Sequence, residues 1–368
     1  MFGRSASARS FALIIGATAL LTAGPASPPA VQSTFAATIA HLSERGGYFD
    51  TDNLISNERS YLHVVPGLKA LTPSGGAYIG VGPDQNFSYI AQVRPTSAFI
   101  VDVRRDNLLL HLLFKAIFAR ARNRAEYLCM LTGRPVPKEI DSWRDASLRR
   151  IVEYVDRTAA APPESVRALR ARLAEDVSRY GVPLTPADAA TVDRFHRAFI
   201  DAGLSLQFQS HGRPPRSYYP SYRELLLETD REGHMWNFLG SEADFAFVRE
   251  LERRDLIVPV VGDISGSHTM QAIAEVMAQR GERLTVFYVS NVEMYLFQNG
   301  SFARFIQNLQ RLPHTRKAVV IRAIFNGFRS ADFTPGYASA SVLQPVDEAT
   351  SAFSKGLYRS YWDLINQR

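Results

Sequence analysis

Residues 75–107 decide the fold, and they read GGAYIGVGPDQNFSYIAQVRPTSAFIVDVRRDN. The pattern predicts a buried strand over Ala77–Val81, a glycine turn, a short helix and a second buried strand over Ala98–Val103. Gly80 and Gly82 allow a tight turn and leave no Cβ between the backbone and a ligand. The free N–H groups of the following helix would point at the same crevice. This succession is half of a doubly wound α/β fold.

Asp102 stands at the carboxyl end of the second predicted strand. A carboxylate in that position can accept hydrogen bonds from both hydroxyls of a ribose. The alternative is an ordinary turn, because Gly-x-Gly after an apolar run also occurs without any ligand. The distance of Asp102 from the glycine turn is stronger evidence for a nucleotide-binding type of fold than for the binding of a nucleotide by this chain.

The bulk composition indicates a folded chain with a mildly basic surface. Hydrophobic residues make up 46% of the 368 residues and charged residues 21%, and the formal net charge is +6. A basic surface can assist contact with nucleic acid or membranes, but the sequence carries no recognition motif for either. Cys129 is the single cysteine, so the sequence excludes an internal disulfide and a cysteine-based metal site. Its apolar helical surroundings predict a packed thiol.

The first residues, 1–26, have the pattern of an export signal. Arg4 and Arg9 precede an apolar run over residues 11–21, and small residues follow at Gly24 and Ala26. We therefore expect a periplasmic or secreted protein without a membrane span in the mature chain. The alternatives are an uncleaved anchor and a misassigned start. Residues 27–62 form an N-terminal extension that could act as a lid over the crevice or could be only a connecting loop.

Residues 63–368 read as one α/β domain. A helical insertion at about residues 133–254 separates the second strand from three further apolar strands, which are predicted over Leu256–Asp263, Leu284–Val289 and Lys317–Phe325. Strands that alternate with helices predict a doubly wound, mostly parallel sheet that is covered on both faces. Right-handed crossovers bring the carboxyl ends of all strands to one edge. Four candidate residues stand at these ends: Gly80, Asp102, Asp263 and Asn291.

These motifs resemble a class I S-adenosylmethionine-dependent methyltransferase, and more narrowly a little-studied bacterial family with a methyltransferase-like, Rossmann-like domain. The resemblance covers about Ser60 to Phe325. It implies that S-adenosylmethionine is the cofactor. Its methionine part would lie against the turn that contains Gly80, Gly82 and Asp84. Asp102 would hold the ribose, and Asp263 would contact the adenine amine.

The resemblance also implies that the fourth strand ends beside the transferred methyl group. Asn291 would hold the polar head of the acceptor, Glu293 would act as a base or orient it, and Tyr295 would wall the pocket. Each of these residues also has a purely structural alternative. Asn291 could cap a turn, Glu293 could be a surface acid, and Tyr295 could be an aromatic residue of the core. The sequence departs from the family pattern at Tyr78, where an acid is usual, and at Asp84, where a third glycine is usual.

Two function hypotheses follow from these residues. The first is a methyltransferase of unknown acceptor, with a small-molecule ligand in the strand-end crevice. The alternative is a non-catalytic binding or scaffold protein of the cell envelope that retains the fold. A hydrolase ranks last, because the sequence contains no Gly-x-Ser-x-Gly elbow and no His-Glu-x-x-His motif, and no metal is expected.

Overall fold

A six-stranded sheet forms the centre of the protein, with the strand order β3-β2-β1-β4-β5-β6. The computed structural model describes residues 1–3, 34–72, 74–212, 214, 216–325, 327–328 and 332–367. The first five strands are parallel and β6 is antiparallel to β5. The strands are β1 (Ala77–Val81), β2 (Ser97–Asp102), β3 (Ile257–Val261), β4 (Leu284–Ser290), β5 (His314–Phe325) and β6 (Ser339–Pro345).

Helices account for most of the remaining described chain. They are α1 (Thr34–Leu42), α2 (Val65–Leu71), α3 (Gln85–Val93), α4 (Arg105–Arg120), α5 (Arg124–Thr132), α6 (Leu148–Arg157), α7 (Pro163–Arg179), α8 (Pro186–Ala202), α9 (Tyr222–Leu227), α10 (Glu242–Arg253), α11 (Thr269–Gln279), α12 (Val292–Gln298), α13 (Phe302–Arg311), α14 (Val346–Ser354) and α15 (Tyr361–Asn366). Short 3₁₀ helices lie at Arg59–Val64, Ile140–Asp145 and Gly203–Ser205.

The strands are buried because helices cover the sheet, and their sequences are accordingly almost wholly apolar. Every residue of β1 and β3 is buried, as are the first five residues of β2. β3 contains Pro259, which cannot donate a ladder hydrogen bond. The fold tolerates this proline because β3 is the outermost strand of the sheet and pairs only with β2.

The predicted mostly parallel α/β architecture is confirmed at this level, and helices α4 to α10 lie between β2 and β3. The sequence prediction missed the sixth strand, Ser339–Pro345. The apolar run over residues 107–132 is divided between α4 and α5, because the side chain of Asn123 accepts a hydrogen bond from the Glu126 N–H and starts α5.

The insertion packs onto the sheet through α4. This helix is buried along nearly its whole length, and α7 and α8 pack on its outer side while it contacts β2 and β3. Its buried Lys115 forms an ion pair with Asp255, 2.8 Å away. Cys129 on α5 is fully buried, and burial raises the pKa of its thiol to about 12.

The chain divides into two compact units, Met1–Val31 and Gln32–Arg368, and the helices and strands given above lie in the second. The predicted export signal, residues 1–26, lies outside the described residues except for the first three. Among the described residues, no helix combines the length and the apolar character needed to cross a membrane.

Candidate functional site

An open crevice with a volume of ≈ 700 Å³ lies at the carboxyl edge of the sheet. It spans the point where the strand order reverses, between β1 and β4, which is the usual ligand site of doubly wound sheets. The structure brings five of the predicted site residues to its wall: Gly82, Asp102, Asp263, Asn291 and Tyr295.

Gly82 forms the turn after β1. Its φ of 84° belongs to the left-handed region, and a Cβ at this position would stand 3.3 Å from the side-chain nitrogen of Asn53. A residue with a side chain would therefore be strained here and would also crowd the segment that covers the turn.

Gly80 serves packing and is not among the residues that line the crevice. A Cβ on Gly80 would stand 2.0 Å from Oδ1 of Asn86. Asn86 in turn donates to the carbonyl oxygens of Val81 and Pro83 and accepts from the hydroxyl of Tyr78 at 2.8 Å. Gly80 thus makes room for the side chain that holds the turn, and Tyr78, at the position where an acid was expected, supports that side chain.

Two acids lie on the crevice wall. Asp102 is the last residue of β2, and Asp263 follows the end of β3. Asp102 accepts three hydrogen bonds from Arg104, through the backbone N–H at 2.9 Å, Nε at 3.0 Å and Nη2 at 2.7 Å. A carboxylate offers about four lone-pair sites, so one remains for a ligand. Asp263 accepts at Oδ1 from the N–H and the hydroxyl of Ser265, and its Oδ2 has no hydrogen-bond partner among the described residues.

Asp84 is not brought to the crevice. It is buried, and Tyr222 donates its hydroxyl to Oδ2 at 2.7 Å. Burial raises the pKa of Asp84 to about 6, and the Tyr222 hydrogen bond only partly opposes this rise. The residue at the expected third-glycine position therefore faces the helical insertion, on which Tyr222 begins α9, and not the cofactor site that the resemblance implies.

Glu293 is also outside the crevice. It accepts from Arg322 through Nε at 2.6 Å and Nη2 at 3.1 Å, and both side chains are almost completely buried. Arg322 also donates to Gln344 on β6 at 2.7 Å. This ion pair ties α12 to the antiparallel strand pair, so Glu293 is held as a structural anion and is not available as a base.

Asn291 and Tyr295 are on the crevice wall after β4. Oδ1 of Asn291 lies 3.3 Å from the hydroxyl oxygen of Ser290. The ring of Tyr295 meets that of Phe49 edge-on, with 5.0 Å between centroids and an interplanar angle of 90°. Both residues are therefore positioned to contact a molecule near the end of β4.

Glu58 is the crevice residue whose chemistry the sequence reasoning missed. It lines the cavity although only 1% of the residue is exposed. The Ser290 hydroxyl donates to Oε1, whereas Oε2 has no hydrogen-bond partner among the described residues. Burial raises the pKa of Glu58 to about 7, against the effect of the neighbouring Ser290 and Tyr288 hydroxyls. A buried acid with such a pKa in a cleft is a candidate for proton transfer.

Polar groups at the end of β4 and the start of α3 surround the carboxyl group of Glu58. Ser290 is one of the non-glycine residues with a positive φ, 54°, and this backbone conformation accompanies its contact with Glu58. Gln85, at the start of α3, donates to the Tyr288 hydroxyl at 2.6 Å. The only sequence signal was an acid just ahead of the apolar run that precedes β1, which carries no motif.

Two loops cover the crevice, the segment over residues 43–58 and a second one made of residues 206–212, 214 and 216–221. They pair through an antiparallel bridge between Thr51 and Ser210, a hydrogen bond of 2.6 Å from the Thr51 hydroxyl to the Gln209 carbonyl, and one of 2.7 Å from His211 N–H to the Asp50 carbonyl. The mouth carries exposed rings, since Tyr48 is 80% and Tyr218 46% exposed. Residues 43–58 belong to the predicted extension or lid, and here they form part of the crevice wall.

One group among the described residues has the spacing of a metal site, formed by Asp230, Glu232 and His234. Asp230 already accepts from the N–H groups of Glu232 and His234, each at 2.9 Å, and from Trp236 Nε1 at 2.7 Å. These bonds explain the cluster as a turn that is organised around one buried carboxylate.

The comparisons with known proteins give one family. The family model described as "Domain of unknown function (DUF7790)" matches residues 54–179 and 197–360 of this chain. The matched ranges include Glu58 and the five predicted residues that line the crevice. None of the curated proteins compared with the chain matches it.

Proposed function

The chain belongs to the DUF7790 family, and we propose that it is a methyltransferase-like protein whose strand-end crevice binds S-adenosylmethionine. One observation carries the proposal. Gly82, Asp102 and Asp263 come from three different strand ends, and all three line one open cavity.

The donors and acceptors of the crevice fit an adenosyl group with a charged tail. Asp102 keeps one lone-pair site and Asp263 keeps a whole carboxylate oxygen, so both can accept from ribose hydroxyls or an adenine amine. The backbone at Gly82 has no side chain, which lets the methionine part approach the turn closely. A volume of ≈ 700 Å³ is within the range of small-molecule sites.

Isothermal titration calorimetry with S-adenosylmethionine and S-adenosylhomocysteine tests the proposal. We expect saturable binding by the wild type and an at least tenfold weaker affinity for Asp263→Asn and for Gly82→Ala. Asp347→Asn is the matched control, because Asp347 is exposed and pairs with His314 at the outer part of the sheet. Absence of heat with the folded wild type would remove the cofactor proposal.

The second candidate function is non-catalytic ligand binding in the cell envelope. Two features favour it. Glu293, the base that the resemblance implies, forms a buried ion pair with Arg322. Arg104 donates to Asp102 and uses most of the hydrogen-bonding capacity of its carboxylate. Under this function the same titrations give binding, while single-turnover assays with labelled S-adenosylmethionine give no transferred methyl group.

A further inference from the structure

The two ends of the crevice differ in charge and in chemistry. Asp102 and Asp263 lie at the β2 and β3 end, while Glu58, Ser290 and Tyr295 lie at the end formed by β4. Neighbouring strands are about 4.8 Å apart, so β3 and β4 are separated by roughly 14 Å in this sheet order. A ligand group at the β4 end therefore meets a different set of side chains from the one that would hold the adenosyl group.

The β4 end has a carboxyl group without a basic partner. The described basic residues that line the crevice are Arg104, which pairs with Asp102, and Arg216, which donates to the Tyr218 hydroxyl at 2.7 Å. No described basic side chain forms an ion pair with Glu58. Its neighbours are hydroxyl groups, those of Ser290, Tyr288, Tyr78 and Tyr89, and burial keeps the three tyrosines neutral.

Aromatic rings complete this end of the crevice. Phe49 meets Tyr295 at 90°, and Phe328 meets Tyr361 at 78° with 4.8 Å between centroids. All four residues line the same cavity as Glu58. Ring faces attract cations within about 6 Å, and groups of aromatic rings are a common means of recognising organic ammonium ligands.

From this juxtaposition we propose that the β4 end of the crevice binds a basic organic amine, with its nitrogen toward the Glu58 carboxyl group and its carbon skeleton against the aromatic rings. Ligand binding here does not require the cofactor. The role of the amine as a methyl acceptor rests on the proposed function.

In that role, the ammonium group must lose a proton before its nitrogen can attack. Ionised Glu58 takes the proton, and the free amine lone pair forms the new N–C bond while the C–S bond of the sulfonium breaks. The products are a methylated ammonium ion, neutral S-adenosylhomocysteine and protonated Glu58, which then releases its proton to solvent. Charge and atoms balance without a further reactant.

The test compares 2-phenylethylamine with its neutral analogue 2-phenylethanol by isothermal titration calorimetry, with and without S-adenosylhomocysteine. We expect the wild type to bind the amine at least tenfold more tightly than the alcohol. Glu58→Gln should bring the two affinities within about twofold, while Asp347→Asn, at an exposed acid that does not line the crevice, should keep the wild-type preference. Equal affinities in the wild type, or a preference that survives Glu58→Gln, would overturn the proposal.

Proton release gives a second readout that does not depend on the folding of Glu58→Gln. At pH 7 Glu58 is about half protonated, so binding of an ammonium ion should expel up to half a proton, seen as different heats in phosphate and Tris buffers. Ser290→Ala removes a hydrogen bond to the charged form and should increase the release. Unchanged release in this variant contradicts the proposal. If S-adenosylmethionine does not bind, only the cofactor proposal is refuted. If the amine does not bind in preference to the alcohol, only the proposal of an amine site at the β4 end is refuted.

Discussion

Two glutamates near the end of β4 show how surroundings decide the role of an acid. Glu293 faces a buried arginine and forms an ion pair with it. Glu58 is buried without a basic partner among the described residues, so burial makes its ionised form costly and raises its pKa to about 7, although the Ser290 and Tyr288 hydroxyls oppose this rise. The resemblance to methyltransferases implied a role for Glu293, but of these two glutamates only Glu58 lines the crevice.

We expect Glu293→Gln to destabilise the fold strongly. The substitution would leave the buried guanidinium of Arg322 without its anion, which typically costs about 3–5 kcal/mol. Urea unfolding followed by circular dichroism measures the change. Glu293→Gln with wild-type stability would mean that Arg322 finds another partner, and Glu348→Gln on the same side of the sheet provides a control with an exposed acid.

Asp84 gives a pH-dependent prediction. Its folded-state pKa, about 6, lies above the ordinary value of 3.8, so its contribution to stability is complete below about pH 4 and is lost as the pH rises through 6. Asp84→Asn should therefore gain stability relative to the wild type between pH 4 and pH 8, by up to about 3 kcal/mol, since a tenfold change in proton binding is worth about 1.4 kcal/mol.

Unfolding free energies at pH 4, 6 and 8 measure this effect. Asparagine keeps an oxygen that can accept the Tyr222 hydroxyl, so the hydrogen bond itself is preserved. A difference between Asp84→Asn and the wild type that is constant across the three pH values would contradict the assigned pKa.

At the scale of elements, the crevice exists because two loops pair over the strand ends. Glu44 N–H donates to the Val261 carbonyl, Gly47 N–H donates to the Val103 carbonyl, and Thr51 reaches the opposite loop. These bonds hold the segment over residues 43–58 at the carboxyl edge of the sheet, where it supplies Glu58 and Phe49 to the cavity.

We expect Thr51→Val to loosen this cover without unfolding the protein. Valine has the same shape as threonine but can neither donate to the Gln209 carbonyl nor accept from the Asn53 N–H, and each lost hydrogen bond costs about 1 kcal/mol. Hydrogen exchange of residues 48–53 and 207–211 should become faster, and the dissociation rate of any crevice ligand should increase. Thr350→Val on α14 removes a hydroxyl–carbonyl bond to Val346 far along the chain from both loops and should leave exchange in these loops unchanged.

The elements that sequence patterns predicted well are those with a strong local signal. The five parallel strands are continuous apolar runs, and the sequence predicts all five. The strand over Ser339–Pro345 was missed because its sequence, SASVLQP, is only weakly apolar and its pairing with β5 comes from tertiary contact. The partners of Asp84, Glu58 and Glu293 lie 29 to 232 residues away in sequence, so no local pattern could reveal them.

At the scale of the whole molecule, the insertion and the sheet share one core. Helix α4 contacts β3 on one side and α7 and α8 on the other, so the insertion is not a separate body within the described unit Gln32–Arg368. We expect calorimetry to record one thermal transition in which the sheet and the insertion melt together.

Leu173→Ala tests this coupling. Leu173 is buried on α7, and its truncation should cost about 2–5 kcal/mol and lower the melting temperature of the entire transition. Leu357→Ala, at an exposed leucine, is the control and should change stability by less than about 0.5 kcal/mol. A second calorimetric peak in Leu173→Ala would indicate that the insertion melts independently.

The single, deeply buried thiol also makes the chain convenient for site-specific labelling. Because Cys129 is enclosed and its pKa is about 12, maleimide reagents should leave it untouched while the protein is folded. A cysteine introduced in place of Tyr48 would then be the sole reactive position, and a fluorophore attached there, at the rim, would change its emission whenever a guest enters or leaves.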